Sequence, residues 1–553
     1  MNPLQGIDIL STAPFIVVTV FGAIVLMLDA FQRESESRSY LSWVTALGFA
    51  ATGLTAIGLM RVDPAVTFHG MNYLDGFSQI MTLLFVFAGA ATALVSPGYL
   101  GAARADRGEY YALLLLSVGG MIMMVSAADF VVFFMALEIM SIAIYALAAF
   151  VRRSPTSAEA GAKYFILGAF ASGLLLYGIA LVYGATGSTG YQAIADALSS
   201  SPSAGGIAAT LQDAIAAAAV GDDSGLRSAT GGRSLATVGL VFILAAFGFK
   251  IAAVPFHMWA PDVYTGSPTP TVGFMASAVK AAGIAALFRV LSVAFFDFEL
   301  RAGETGWITV LFVLAILSMV VGNLTAIVQD NVKRMLAYSS IAHAGYLLVG
   351  VVAIGFADGN IQLGSSLVFY LFSYTFATVG AFGALAWLNR NGHSADTYDD
   401  LKGLGYRYPW IGLVLSLFML SSAGIPPAAG FMGKFMVFRS ALTAATEPAN
   451  AGLAGNTLLI AAVVVGVLTS LAGVYYYLRV IVYLYMHKQE KAVAQNYFPG
   501  ARLAIVVCAL LTLFFGVAPN KLSEVSTRAV SQMEGRADGV YVKNADLETE
   551  AKR

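Results

Sequence analysis

The sequence predicts an all-α polytopic membrane protein of about fourteen transmembrane helices, and three observations carry that prediction. Charged residues are 11% of the 553 and hydrophobic ones 58%, against about 25% charged in a soluble domain; the mean hydropathy is +0.76. The apolar residues gather in runs of the roughly 17–25 that a spanning helix needs. Prolines then interrupt two of those runs at matching places in the two halves of the chain, Pro255 in the seventh run and Pro426 and Pro427 in the twelfth.

In chain order the runs lie near 12–31, 40–61, 76–96, 110–127, 129–150, 157–184, 236–256, 268–293, 306–329, 332–356, 364–388, 409–441, 456–486 and 502–518. No basic residue precedes the first run and no small-residue cleavage site closes it, so it is expected to persist as a helix rather than be removed as a signal. The sixth opens on Thr156-Ser-Ala-Glu159, which reads as a capping box. Between 187 and 235 an Ala-, Ser- and Gly-rich loop carries an amphipathic piece around 207–220, expected to be an extended outer loop, with a partner-binding element as the other reading.

Alternate connections differ in charge. One set holds 14 basic residues, among them Arg104, Arg107, Arg152, Arg153, Lys333 and Arg334; the other holds 5, among them Arg61 and Arg301. The positive-inside rule then places both termini outside. The net charge of −1 argues against nucleic-acid binding, which wants a basic face. A single cysteine, Cys508, and five histidines without HExxH or Cys/His spacing offer no disulfide, thiolate-held cluster or metal site.

An internal repeat is visible. At an offset of 201, Asp129, Val131, Ala136, Ala143, Tyr145 and Leu147 recur as Asp330, Val332, Ala337, Ala344, Tyr346 and Leu348. The fifth and tenth spans stand five apart, so successive five-helix units face opposite ways, the inverted repeat of transporter folds. The expected organisation is helices 1–3 over 1–109, repeats over 110–293 (spans 4–8) and 294–487 (spans 9–13), then helix 14 and a polar tail over 488–553.

Charge inside the runs is the functional signal. Lys250, Lys280 and Lys434 sit in apolar stretches, and an ionisable group at bilayer depth marks a functional site. A buried lysine can exchange its proton where an arginine cannot, so a line of lysines reads as a proton relay. Glu138 supplies the opposite charge and Lys163, two turns into the sixth helix, is its expected partner; the pair is the expected switch. Lys163 also reads as snorkelling to the interface, and Lys434 as a cap on carbonyls freed by its break. His343 is either a relay member or a satisfied core histidine. His257 and Asp262 are expected to shape the turn after the seventh span, and Lys333 and Arg334 to anchor the cytoplasmic rim.

The same stretches resemble a known family. Gly248-Phe-Lys-Ile-Ala-Ala-Val-Pro-Phe-His-Met-Trp-Ala-Pro-Asp-Val-Tyr264 with Gly266-Ser-Pro-Thr-Pro270, Leu137-Glu-Ile-Met-Ser141, Ala162-Lys-Tyr-Phe-Ile-Leu-Gly-Ala-Phe170, Asn331-Val-Lys-Arg-Met-Leu-Ala-Tyr-Ser-Ser-Ile-Ala-His343 and Gly424-Ile-Pro-Pro-Ala-Ala-Gly-Phe-Met-Gly-Lys434 look like the antiporter-like subunits of proton-pumping NADH:quinone oxidoreductase (respiratory complex I), in its subunit N branch. Lys280 and Lys434 stand where the L, M and Mrp-type relatives usually differ. The resemblance implies a proton path through Glu138, Lys163, Lys250, Lys280 and Lys434, with His343 a weaker member. It implies no cofactor on this chain, the flavin, iron–sulfur clusters and quinone being on partner subunits. The implied partners are other membrane subunits of complex I and the lipid bilayer, with no nucleic acid, and the implied location is the bacterial inner (plasma) membrane. A non-redox translocating subunit moving protons outward is therefore expected. A stand-alone or Mrp-type cation/proton antiporter and a purely structural subunit are the alternatives.

Overall fold

A backbone in lipid must satisfy its own N–H and C=O groups, so long apolar runs without internal breakers become helices and the breakers mark where they stop. The computed structural model describes residues 6–32, 37–199, 231–296, 300–301, 306–356, 361–389, 395–446, 455–488 and 498–533. The amphipathic piece expected at 207–220 and the chain beyond 533 lie outside the described residues.

The helices are α1 (Gly6–Ser11), α2 (Ala13–Ala30), α3 (Ser39–Leu59), α4 (Gly76–Ala102), α5 (Gly108–Ser126), α6 (Phe130–Ala148), α7 (Pro155–Thr186), α8 (Tyr191–Ser199), α9 (Gly231–Ile251) and α10 (Trp259–Gly266). After them come α11 (Thr269–Val293), α12 (Trp307–Ile327), α13 (Val332–Phe356), α14 (Ile361–Leu388), α15 (Pro409–Ala423), α16 (Ala429–Thr446), α17 (Gly455–Met486), α18 (Pro499–Val517) and α19 (Pro519–Ser531). Among the described residues thirteen helices are long and apolar enough to cross a membrane. The split pair α15 and α16 makes the fourteenth crossing, as expected for the twelfth run. A short hairpin, β1 (Ala65–Thr67) and β2 (Asn72–Leu74), pairs antiparallel with Val66 opposite Tyr73; the sequence reading had no strand there.

Burial sorts the helices. α11 is buried throughout and α13 buried over its length past Tyr338, whereas α2 and α17 face outward over most of their length. The interior helices carry Lys280 and His343, so both are enclosed by protein and not lipid.

The two repeats share their close crossings. A Cβ on Gly120 would meet Met140 N at 2.5 Å and Ala136 O at 2.8 Å, and one on Gly322 would meet Ala342 N at 2.6 Å and Tyr338 O at 2.9 Å. Only glycine lets these backbones touch. Asp129 caps α6 through Val131 N, and Asn331 caps the start of α13 through Arg334 N. Caps and crossings therefore correspond at an offset of 202, one more than the sequence match. Deeper in the helices Tyr145 and Tyr346 keep the offset of 201, each lying under a buried lysine.

Two local expectations are corrected. α7 begins at Pro155 with Ser154 as its cap, accepting from Ser157 N at 3.3 Å, so the capping residue lies two before Thr156; proline at the first helical position, whose N–H has no helical partner, sets the start. The polar tail begins as the amphipathic helix α19, which packs on α4 and α14. Its buried face is Leu522, Ser526, Ala529 and Val530, a helical spacing.

Candidate functional site

Breaking a helix at membrane depth frees backbone groups, and the first break shows how they are satisfied. α9 stops at Ile251, Ala252 takes a left-handed φ of 57°, and the Val254–Pro255 peptide is cis. The indole of Trp259 donates to Phe249 O at 3.0 Å, and Val254 N donates to Ser318 Oγ at 2.9 Å. Trp259 also stacks on Tyr164 at 4.3 Å, which fixes α10 against α7. At the second break Pro426–Pro427 is cis and Gly424 has φ 83°. There the freed carbonyls of Ser422 and Ala423 accept from Lys434 Nζ at 2.8 and 3.3 Å.

Each broken helix thus presents a lysine. Lys250 is 5% exposed, Lys280 2%, Lys434 6% and His343 3%. Lys250 Nζ donates to Ser141 Oγ at 2.7 Å and lies 5.8 Å from the Tyr145 ring centre. Lys434 Nζ donates to Ser470 Oγ at 2.9 Å and lies 5.1 Å from the Tyr346 ring centre. Capping and a buried site are therefore combined in Lys434. Lys280 follows a π-helical turn, Met275–Val279, of the kind found at functional sites. Its Nζ donates to the carbonyl and hydroxyl of Ser340, both at 2.5 Å. α9 and α11 meet at Gly283, where a Cβ would lie 3.0 Å from Ile251 and 3.7 Å from the Lys250 stem. Among the described residues none of the three ammonium groups has a carboxylate within ion-pair distance.

His343 belongs to the same polar seam. Nδ1 is 2.7 Å from Tyr370 OH and Nε2 3.0 Å from Tyr477 OH, and Tyr477 OH is hydrogen-bonded to Ser339. Beside it Asn323 donates to Tyr346 OH at 2.9 Å and accepts from Tyr476 OH at 3.0 Å. The sequence reading missed these tyrosines, because an aromatic residue on an apolar helix carries no sign that its hydroxyl has a partner.

The expected Glu138–Lys163 pair is not formed. Glu138 Oε1 accepts from Ser172 Oγ at 2.5 Å, whereas Lys163 Nζ binds Glu159 at 2.7 Å and Asp262 at 2.9 Å. Ser172 lies nine residues beyond Lys163 on α7, about 13.5 Å along the axis at 1.5 Å per residue, which no lysine side chain spans. Glu138 is instead near enough to Lys250 to act on it electrostatically. Beside Lys250 a cavity of about 10 Å³ is lined by Ser141, Tyr145, Ser172 and Lys250, about the room one water needs.

Asp262, expected only to shape a turn, joins three elements: it binds Lys163 of α7 and, at 2.7 Å, Arg334 of α13. Burial pushes its carboxyl up, but the Arg334 and Lys163 hydrogen bonds outweigh that and hold it below the usual carboxylate range. Lys333 is not a surface anchor; it is buried and donates to Ser267 O at 3.1 Å, with Asp396 3.9 Å away. Arg334 is tied to Asp262 for the same reason, since the start of α13 packs on the turn after α10. Arg479 pairs with Asp330 at 3.0 Å. The half-buried His257 is held below its ordinary basicity by burial.

Among the described residues no group of three His, Cys, Asp or Glu side chains is placed to hold a metal. One cysteine cannot supply the four thiolates an iron–sulfur cluster takes.

Residues 127–451 match the family described as NADH:quinone oxidoreductase/Mrp antiporter, TM. NADH-quinone oxidoreductase subunit N of Trichlorobacter lovleyi is 39% identical over 529 residues, 95% of this chain and 98% of the relative. The subunit N of Myxococcus xanthus is 38% identical, covering 93% and 96%. A chain of respiratory complex I from Thermus thermophilus with bound aureothin superposes with a TM-score of 0.71 at 32% identity, over 93% of this chain and all of that one. A chain of the Mrp complex from Dietzia reaches 0.73 at 20% identity, a likeness of fold. With broken helices, buried lysines and full-length relatives in agreement, the chain belongs to the antiporter-like family of NADH:quinone oxidoreductase membrane subunits, in its subunit N group.

Proposed function

We propose that this chain carries protons across the membrane as a non-redox subunit of an NADH:quinone oxidoreductase, driven by quinone reduction on partner subunits that hold the flavin and iron–sulfur clusters. One observation carries the reading: three enclosed ammonium groups, each seated on a serine hydroxyl, have no carboxylate within ion-pair distance among the described residues. An ammonium in such a place costs several kcal/mol, roughly 2.5–3.5 kcal/mol on the insertion scale, and a structural role does not need three of them. Serine hydroxyls both donate and accept, so each lysine has a neighbour able to pass a proton.

The switch we propose is Glu138 with Lys250 in place of Glu138 with Lys163. Glu138, held by Ser172, acts on Lys250 electrostatically, and Lys163 belongs to the cluster at the basic end of the bundle. The asymmetry of basic residues among the connections supports both termini lying outside; transport outward is taken from the family to which the chain belongs. The basic end, holding Asp262, Arg334 and Lys163, is then cytoplasmic, in a bacterial inner membrane with other complex I membrane subunits alongside.

The test is NADH-driven proton uptake in inverted membrane vesicles carrying Lys280→Met or Lys434→Met, with assembly read on native gels. Loss of pumping in an assembled complex is the expected result. Defective assembly with full pumping in whatever assembles would favour the structural reading. Cation/proton exchange independent of NADH would favour the stand-alone antiporter.

A further inference from the structure

Four arginines surround one cleft at the basic end of the bundle. Arg104 and Arg107 come from the turn joining α4 to α5, and Arg152 and Arg153 from the turn joining α6 to α7. The cleft measures about 250 Å³ and has Phe150 and Val151 in its wall, with Glu109 as its acid. All four arginines are exposed, and among the described residues none has an ion-pair partner. The neighbouring acids are engaged elsewhere: Asp29 binds Arg38 at 2.5 Å and Gly108 N at 3.1 Å, and Asp106 accepts from Tyr111 OH at 3.4 Å. Four guanidinium groups against one carboxylate leave a strongly positive pocket.

Two further observations say what it takes. Arg104 has φ 51° immediately after the α4 cap, a left-handed position that glycine fills without strain; an arginine is held there at a cost, and strain of this kind collects at ligand-binding places. The cleft also lies where four apolar helices, α4 to α7, end, and spanning helices of that length end near the level of lipid head groups. Beside it α2, whose Asp29 accepts from Gly108 N, exposes Met27 (61%), and Phe31 (86%) is exposed just past its end. Basic pockets between helix ends on this side of a membrane bind phosphate head groups, and the guanidinium fork matches phosphate oxygens two at a time.

We propose that this cleft binds the phosphate of an anionic phospholipid, its acyl chains lying against the exposed apolar flank of α2. The topology proposed above serves only to say that the lipid comes from the cytoplasmic leaflet; binding itself is independent of proton transport. The lipid seats the α4–α5 and α6–α7 turns against each other, bracing the start of α7.

The test uses the intact complex in mild detergent, with bound lipid read by native mass spectrometry during titration with phosphatidylglycerol, phosphatidylcholine or inorganic phosphate. The variants are Arg104→Gln with Arg153→Gln, and Arg104→Lys with Arg153→Lys. Removing two of the basic connection residues leaves the inside bias intact, and unchanged NADH oxidation confirms assembly. Phosphatidylglycerol is expected to bind, phosphatidylcholine not. The glutamine pair is expected to weaken binding about 25-fold, at about fivefold per arginine, and the lysine pair by less. Equal phosphatidylglycerol binding by the wild type and the glutamine pair would overturn the site. Displacement of the lipid by equimolar inorganic phosphate would overturn the lipid as its source and leave a free-anion site.

Discussion

Replacing Lys250 by methionine separates a carrier of charge from a piece of packing. Lys250 Nζ makes one hydrogen bond, to Ser141 Oγ at 2.7 Å. Ser141 still donates to Leu137 O at 2.5 Å in its absence, so no buried donor is orphaned. The lost charge-assisted bond is worth about 1.5–3 kcal/mol. It is offset by removing an ammonium whose burial costs several kcal/mol, and methionine fills the stem volume. Lys250→Met is therefore expected to assemble normally. Transport should behave differently, because a proton crossing this level without the amine is left unpartnered at bilayer depth. At about 2.5–3.5 kcal/mol for such a charge, and tenfold per 1.36 kcal/mol, passage slows roughly 60- to 400-fold. The assay is NADH-driven proton uptake in inverted vesicles, with NADH oxidation and assembly measured on the same membranes. Wild-type proton uptake by a fully assembled Lys250→Met complex would refute the relay through this lysine.

Further tests bear on the corrected geometry. In double-mutant cycles on thermal unfolding, Lys163→Gln should be additive with Glu138→Gln and non-additive with Asp262→Asn; coupling to Glu138 would restore the pair the sequence implied. The folded Asp262 carboxyl lies below its usual range, so its contribution to stability is full above the ordinary carboxylate pKa and is lost as pH falls through the folded value. The gap in unfolding midpoint between wild type and Asp262→Asn should be flat from about pH 8 to 5 and close below about pH 4; a gap that shrinks between pH 8 and 6 would contradict this. Gly120→Ala and Gly322→Ala each drive a methyl into backbone atoms of the facing helix at 2.5–2.9 Å. Each should destabilise by about 1–3 kcal/mol, and unchanged unfolding midpoints would show that the crossings are loose.

Helix number, the two breaks and the identity of three buried lysines were all legible in the amino-acid order. Each is a local consequence of chemistry that acts along the chain: an apolar run has to close its own hydrogen bonds, a proline cannot donate, and an ammonium among leucines has no solvent. Even the repeat left a trace, though the caps Asp129 and Asn331 correspond one residue away from the best sequence match. Pairings across the bundle were not legible, because partners are set by the depth and rotation at which helices dock. Glu138 and Lys163 looked like partners when counted from their helix ends, yet docking puts Ser172 level with Glu138 and leaves Lys163 with Asp262 and Arg334. His343 looked equally like a relay member or a core residue until α14 and α17 brought Tyr370 and Tyr477 to its two nitrogens. Linear order singled out the lysines Lys250, Lys280 and Lys434 as buried, but not the buried Lys333 or the enclosed Arg289–Asp75 pair. Only tertiary packing decided which groups they touch, because contacts between residues 27 to 138 positions apart depend on close helix crossings that no local pattern encodes.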